Sequence, residues 1–352
     1  MNHAPWRGHV EVAALLLGCV LGMATVLGYL GSWSWVLDLF SPFRIQYVVL
    51  ASLLAIVASA LKRMLLAFVS VVIAIANLPP IVPQFVRTAV AATVERGPAL
   101  KVLSFNVFKY SSQYQRMVDM VRSEAPDVLI LIEVTPQWEP ALAMLAPDYA
   151  YRWVNVGDDI RGLAVLTRRV PHESHVIDLG GNGVPSLLFT LPSPGGDITF
   201  VATHLSWPLG SRRAAIRNAQ LATLARLAHE QRGAFAIVGD LNVTPYSPRF
   251  QQLLRDGELR NCAQGMGPQA TWPALLVPLY IQIDHCLATA AVTASHFRVG
   301  GFLGSDHYPI TVELRVQVPG RAPPLADMPP VSTRRIASST PMSSGVSRAR
   351  GR

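Results

Sequence analysis

Before residue 90 the chain is almost free of charge, and residues 12–30, 45–61 and 64–86 carry none at all. A hydrocarbon core of ~30 Å is crossed by ~20 apolar helical residues, so these three stretches predict three transmembrane helices. Together they define an anchor over residues 1–93. A cleaved signal peptide fits the first stretch poorly, because its apolar run is long and no clean small-x-small site follows it. With 51% hydrophobic and 15% charged residues the whole chain is too apolar for one ordinary soluble domain, and the excess is concentrated here.

Flanking cations set the expected orientation. Lys62 and Arg63 fill the turn between the second and third stretches, and Arg7 precedes the first. The connection at 31–42 holds Trp33, Trp35 and Asp38 but no Lys or Arg. Positive charge stays on the cytoplasmic side, and aromatic residues mark the opposite interface. Three spans starting inside end outside. The expectation is a multi-pass protein of a bacterial inner membrane, held by the bilayer through three helices, with everything after them periplasmic or extracytoplasmic.

A net charge of +8 suggests nucleic acid only until it is divided along the chain. Residues 101–318 hold 18 basic and 18 acidic side chains, so the excess sits in the anchor and in the arginine-rich segment 319–352. A clustered basic face is the usual footprint of a protein that tracks a phosphate backbone, and the middle of this chain supplies none. The last segment, rich in Pro, Ser, Ala and Arg without periodicity, is expected to be a disordered basic tail. Cys262 and Cys286 fall in the soluble part; they are either a bridge permitted by an oxidising compartment or two buried thiols.

After a linker at 94–99 the pattern changes to short apolar runs separated by turns and helices. Strands are expected at 101–107, 127–132, 162–167, 186–191, 198–203, 235–238, 281–288 and 310–318. Helices are expected at 113–124 and 212–231, the second with Ala215, Ala219, Ala222, Leu224 and Leu227 inward. Such alternation indicates a layered α/β domain over 100–318.

Six polar islands lie near the ends of these runs: Ser104-Phe105-Asn106, Glu133, Thr203-His204-Leu205, Gly239-Asp240-Leu241-Asn242, Asp284-His285 and Ser305-Asp306-His307-Tyr308-Pro309. Glu133 closes a wholly apolar strand, where a carboxylate is poorly solvated and suited to a hard cation. Asp240 and Asn242 share one side of their segment and can position a water. Asp306-His307 and Asp284 add an imidazole and carboxylates, and an imidazole backed by a carboxylate keeps one tautomer and gains basicity. His204 can meet a phosphate oxygen or protonate a leaving oxygen. His285 should point away from Asp284, which makes it structural. Any one island is an ordinary strand end or turn, whereas all six in this order are not.

In that order the islands resemble the endonuclease/exonuclease/phosphatase superfamily of metal-dependent phosphoesterases, with Arg217 and Gln220 matching the Arg-x-x-Gln pair many members carry. The resemblance implies a four-layer α/β sandwich, two mixed β-sheets flanked by helices. It implies Mg²⁺ or Mn²⁺ at Glu133 with help from Asn106, and Asp306 facing the metal or a second metal site. Asp240 would align the attacking water, Asn242 would hold the phosphate, and His204 and the Asp284-backed His307 would contact phosphoryl oxygens. The implied reaction is hydrolysis of a phosphodiester by in-line attack of water, endonuclease- or exonuclease-like. A lipid or small-molecule phosphoesterase is the alternative, and a catalytically silent membrane module on the same fold is the alternative of another class. The substrate partner is accordingly a nucleic acid, a lipid or a small molecule, and no obligate protein partner is implied.

Overall fold

Two six-stranded mixed sheets stand face to face in the computed structural model, which describes residues 6–86 and 98–317 apart from 182 and 232. The first sheet contains β1 (Leu100–Asn106), β2 (Val128–Ile132), β3 (Tyr151–Asn155), β4 (Leu163–Thr167), β11 (Val292–Val299) and β12 (Ile310–Val316). Their order is β11-β12-β1-β2-β4-β3. The second contains β5 (Glu173–Asp178), β6 (Pro185–Leu191), β7 (Ile198–His204), β8 (Ala234–Asp240), β9 (Arg260–Asn261) and β10 (Asp284–Ala288), in the order β5-β6-β7-β8-β10-β9.

Each sheet has a single parallel pair, β1 with β2 and β7 with β8, and every other pairing is antiparallel. Val102, Ile130, Val165, Phe189, Phe200 and Val238 belong to the core between the sheets. On the outer face of the first sheet, Leu103, Leu129 and Leu131 pack under α5 (Tyr114–Glu124) and α6 (Glu139–Leu145). On the second, Val201, Phe235 and Ile237 pack under α7 (Ser211–Glu230) and α8 (Pro248–Asp256). The expected sandwich is therefore present. Fully burying one such side chain contributes ~1.5–3 kcal/mol, so this double-sided burial explains why the central strands are uninterrupted apolar runs.

The inward face of α7 differs from the expected one. Ala215, Ala219 and Ala222 are exposed, and the buried side carries Ala214, Arg217, Gln220, Leu221, Leu224 and Ala225. Two polar residues on the packed face defeat a reading by hydropathy alone.

The N-terminal region forms α1 (Trp6–Tyr29), the short α2 (Trp35–Asp38), α3 (Arg44–Ala60) and α4 (Met64–Asn77). Only the first has the length and apolarity to cross a membrane, over Gly8–Tyr29, which corrects the expectation of three spans. At 1.5 Å per residue the 17 residues of α3 and 14 of α4 reach ~26 and ~21 Å, short of the ~30 Å required. The third stretch ends early because Pro79 and Pro80 follow Asn77 and Leu78; a proline lacks the N–H that would continue the helix.

The three helices pack together, α1 and α4 parallel to each other and α3 antiparallel to both. Arg63, in the turn before α4, pairs with Glu11 near the start of α1. At the other end Arg44 donates to the Asn77 side chain at 2.9 Å and the Thr25 carbonyl at 3.2 Å, and Asn77 donates to the Thr25 hydroxyl. Leu16, Val20, Met23, Ile56, Leu65 and Phe68 point outward, each more than half exposed.

The Arg44 end meets the sandwich. Arg249 donates to the Ser32 carbonyl, Gln46 to the Tyr280 carbonyl and Tyr246 to the Gln84 side chain. The basic tail and most of the linker expected from the sequence lie outside the described residues.

Candidate active site

Parallel pairing places the C-terminal ends of β1, β2, β7 and β8 at one edge of the sandwich. β10 begins there too, because it runs antiparallel to β8 with Asp284 opposite Asp240. The loop into β12 brings Asp306 and His307 to the same edge. All eight candidate residues meet there, although they are spread from 106 to 307 in the chain.

Asp240 is the centre of the group. The Asn106 amide donates to Asp240 Oδ2 at 3.3 Å and to Glu133 Oε1 at 3.2 Å, bridging the two carboxylates. The backbone N–H of Asn242 donates to Asp240 Oδ1 at 2.9 Å. His204 Nε2 and His307 Nε2 lie 3.6 and 3.7 Å from Asp240 Oδ2. Each imidazole is oriented from behind: His204 Nδ1 donates to the Ile160 carbonyl at 3.0 Å, and His307 Nδ1 donates to Asp284 Oδ2 at 2.9 Å. Both rings therefore present Nε2 to the same oxygen. The Asn242 side chain donates to the Leu205 carbonyl at 2.9 Å and lies 3.4 Å from His204 Nε2.

The backbone is specialised at the same points. Gly239 has φ 148°, and a Cβ there would stand 1.9 Å from the Thr203 carbonyl oxygen, so only glycine lets β8 approach β7 closely enough to set Asp240 beside His204. Glu133 and Asn242 both lie in the left-handed region, at φ 62° and 48°. For a glutamate that conformation is uncommon, and such outliers gather at functional sites. The Glu133 carboxylate also accepts the Lys109 backbone N–H at 3.2 Å.

Asp240, Asp284, His204 and His307 are all nearly inaccessible. Burial, reinforced by Asp284, pushes the Asp240 carboxyl up to about 6 against the pull of His307, His204 and the Asn242 N–H. Burial alone would depress His307, but Asp284, Asp240 and Asp306 outweigh it and push the imidazole up to about 10.

Whether these residues suit a divalent cation is tested by their unmatched charge. Four carboxylates (Glu133, Asp240, Asp284 and Asp306) face two imidazoles, and Asp284 Oδ1 and Asp306 Oδ1 are buried without a hydrogen-bond partner. Ligand atoms of Asp240, Asp284 and His307 lie within 4.8 Å of one another. A buried excess of oxygen donors with orphaned lone pairs is what a hard cation requires. The residues fit.

His285 is buried but faces elsewhere, with Nε2 donating to the Val243 carbonyl at 2.8 Å and its ring against Phe250. The two cysteines meet: Cys262 and Cys286 are free, buried and 2.7 Å apart at sulfur.

Other residues of the site escape a reading of the sequence. A cavity of ≈ 680 Å³ opens above Asp240, and its walls include Asp38, Leu39, Pro42 and Phe43 from the helical region as well as Trp207 and Leu209 from the sandwich. Asp38 accepts from Arg217 Nη2 at 2.9 Å and from Ser247 Oγ at 2.7 Å, and Arg217 Nη1 donates to the Asn242 carbonyl at 3.2 Å. Gln220 accepts the Ser206 N–H at 2.9 Å. The available signals were the Arg217-x-x-Gln220 pair and an isolated acid, Asp38, in an otherwise uncharged connection.

A profile described as the Endonuclease/Exonuclease/phosphatase family matches residues 103–307, the interval that holds every residue of this site except Asp38 and its neighbours. The chain belongs to the endonuclease/exonuclease/phosphatase family. Members of this family are divalent-metal-dependent hydrolases of phosphate esters. No curated protein matches the sequence.

Solved structures show the same family fold. D. rerio TDP2 complexed with a single-strand DNA product is 18% identical, with a TM-score of 0.54 over 62% of this chain and 100% of that one. An endonuclease/exonuclease/phosphatase from Bacteroides vulgatus is 16% identical, with a TM-score of 0.53 over 63% and 100%. The 3′ phosphatase NExo from Neisseria bound to a product DNA hairpin is 18% identical, with a TM-score of 0.51 over 62% and 100%.

Proposed function

We propose that the chain is a membrane-anchored, divalent-metal-dependent phosphodiesterase whose nucleophile is water. The observation that carries this is the convergence of eight separated polar residues, Asp240 among them, at one edge of the sandwich. The rival reading, a silent module on the same fold, expects at least one of those positions to be lost.

The water oxygen forms a bond to phosphorus as the bond to the leaving oxygen breaks on the opposite side. Asp240 orients the water and accepts its proton, a role suited to a carboxyl held near 6. His307, kept protonated by Asp284, and His204 bind non-bridging oxygens with Nε2, and His204 is placed to return a proton to the leaving oxygen. Asn242 steadies the phosphate beside them. Glu133 and Asp306 would hold Mg²⁺ or Mn²⁺, with Asn106 orienting Glu133. A cation bound there would supply charge neutralisation to the phosphoryl group.

The helix α1 would span the bilayer, with α3 and α4 as an apolar hairpin beside it. Lys62 and Arg63 lie with Glu11 at the end far from the sandwich, so positive-inside orientation puts the site outside the cytoplasm.

The test uses the full chain in lipid nanodiscs with bis(4-nitrophenyl) phosphate. Turnover should vanish in EDTA and return with Mg²⁺ or Mn²⁺, and Glu133→Ala should weaken Mn²⁺ binding in a calorimetric titration. Turnover that is indifferent to EDTA rejects the metal role, and a folded protein without turnover rejects hydrolysis.

A further inference from the structure

The cleft above Asp240 has two unlike halves. Its floor is the polar cluster; its walls are mostly apolar, with Leu39, Pro42 and Phe43 on the helical side and Trp207 and Leu209 on the sandwich side. Trp207 and Leu209 are about half exposed, and the Arg213 guanidinium lies 4.5 Å over the Trp207 ring, steadying it. Apolar walls over a few convergent polar groups are usual for ligand sites and by themselves select no substrate.

The position of that wall gives the apolar surface a meaning. Leu39–Phe43 joins α2 to α3, and α1, the span-length helix, ends only ten residues earlier at Tyr29. Beside it, the segment 275–279 exposes Leu275, Leu276, Val277 and Leu279, and the adjoining Tyr280 carbonyl is held by Gln46 in the first turn of α3. Exposed apolar surface thus continues from the helical region onto the neighbouring loop of the sandwich. Charge points the same way. Lys109, Arg217 and the protonated His307 are the cations among the described lining residues, and Arg217 is already spent on Asp38 and His307 on Asp284. A polynucleotide backbone needs a row of free cations, and none is present here.

The geometry points to a lipid phosphate ester as the substrate, its phosphate on the Asp240 floor and its hydrocarbon part along Leu39, Pro42, Phe43, Trp207 and Leu209, reaching the site from the bilayer. This rests on the hydrolytic reading above and names its substrate class. Water adds to phosphorus, one ester bond breaks, and the products are a phosphate monoester and an alcohol.

The experiment uses the full chain in nanodiscs with 4-nitrophenyl phosphate diesters whose second group is methyl, hexyl or dodecyl, and separately a single-stranded oligodeoxynucleotide. Burying each methylene favours binding by about fourfold. The expected result is a rise in kcat/KM of at least ~100-fold from methyl to dodecyl, with the oligonucleotide cut more slowly than the dodecyl ester. Simple partitioning of the long ester into the disc would raise the rate equally in every variant, so Leu209→Asp and Phe43→Ser separate the two causes. In each, the dodecyl-to-methyl ratio should fall to below about tenfold, since fewer methylenes then find apolar walls. Variants on opposite walls guard against one that does not fold. A ratio kept at the wild-type value in both variants, no rise in the wild type, or faster cleavage of the oligonucleotide overturns the proposal. Turnover of the methyl ester without chain-length preference would leave hydrolysis standing and remove only the lipid. No turnover of any probe removes both.

Discussion

Asp240 and Asp38 are buried aspartates lining one cleft, yet their surroundings are opposite in kind. Asp240, on the floor, is crowded by Asp284 and two imidazoles, and burial pushes its carboxyl up to about 6. Asp38, on the wall, has a guanidinium at 2.9 Å on one oxygen and the Ser247 hydroxyl at 2.7 Å on the other. The floor keeps unneutralised charge ready for a phosphate and a cation, at a cost in stability. At Asp38 the wall has its charge matched, as a joint between helices and sandwich should. Changes on the floor should therefore cost activity and spare the fold, and changes at the Asp38 joint should cost mainly stability.

The sharpest break is on the floor. Asp240→Asn removes the proton acceptor and His307→Ala the oriented imidazolium, and each should lower kcat by about 10³-fold or more. Asp240→Asn also relieves repulsion with Asp284, so its Tm should stay level or rise. A fall of several degrees in Tm with activity kept would reverse the assignments of floor and wall.

On the wall, Asp38→Ala leaves the Arg217 guanidinium buried and uncompensated, although burial already acts to lower its pKa. Breaking one side of a buried pair costs roughly 3–5 kcal/mol, which should appear as a clear drop in Tm. Replacing both, Asp38→Leu with Arg217→Met, should recover much of that stability. It should leave kcat down about tenfold, because Arg217 also holds the Asn242 carbonyl and that loss is worth one charged hydrogen bond. Full recovery of both quantities would make the pair purely structural.

How much of this was legible beforehand follows the same division. The floor could be read because each residue terminates or begins an apolar strand, and strand ends converge wherever parallel neighbours share a sheet edge. Asn106, Glu133, His204 and Asp240 all obey that rule. The wall could not, because Asp38 and Arg217 are 179 residues apart and nothing local marks them as partners. Arg217 even hid the packed face of α7 by standing where hydropathy expects an apolar side chain. Edge strands were lost for a related reason: β5 is exposed along nearly its whole length, so no buried alternation announces it. Composition did not reveal where the apolar stretches stop being helix, and Pro79-Pro80 decided that for α4.

The smallest expected effect tests the ground between floor and wall. His285 neighbours Asp284 in β10 but is turned away and wholly buried, and desolvation lowers its imidazole to about 4 despite the Val243 carbonyl and the Asp284 charge. Because the folded value lies below the usual one near 6.5, the unfolded chain binds the proton first as pH falls. The stabilisation is complete above about 6.5 and is lost progressively as pH drops toward 4, by at most roughly 3 kcal/mol. His285→Gln keeps a donor for Val243 and cannot titrate in this range. Between pH 7 and 4.5 its Tm should decline less steeply than that of the wild type, the difference cancelling the contributions of the floor groups common to both. Parallel declines would mean that His285 takes up its proton in the folded state, and that the strand shared with Asp284 is wetter than its burial indicates.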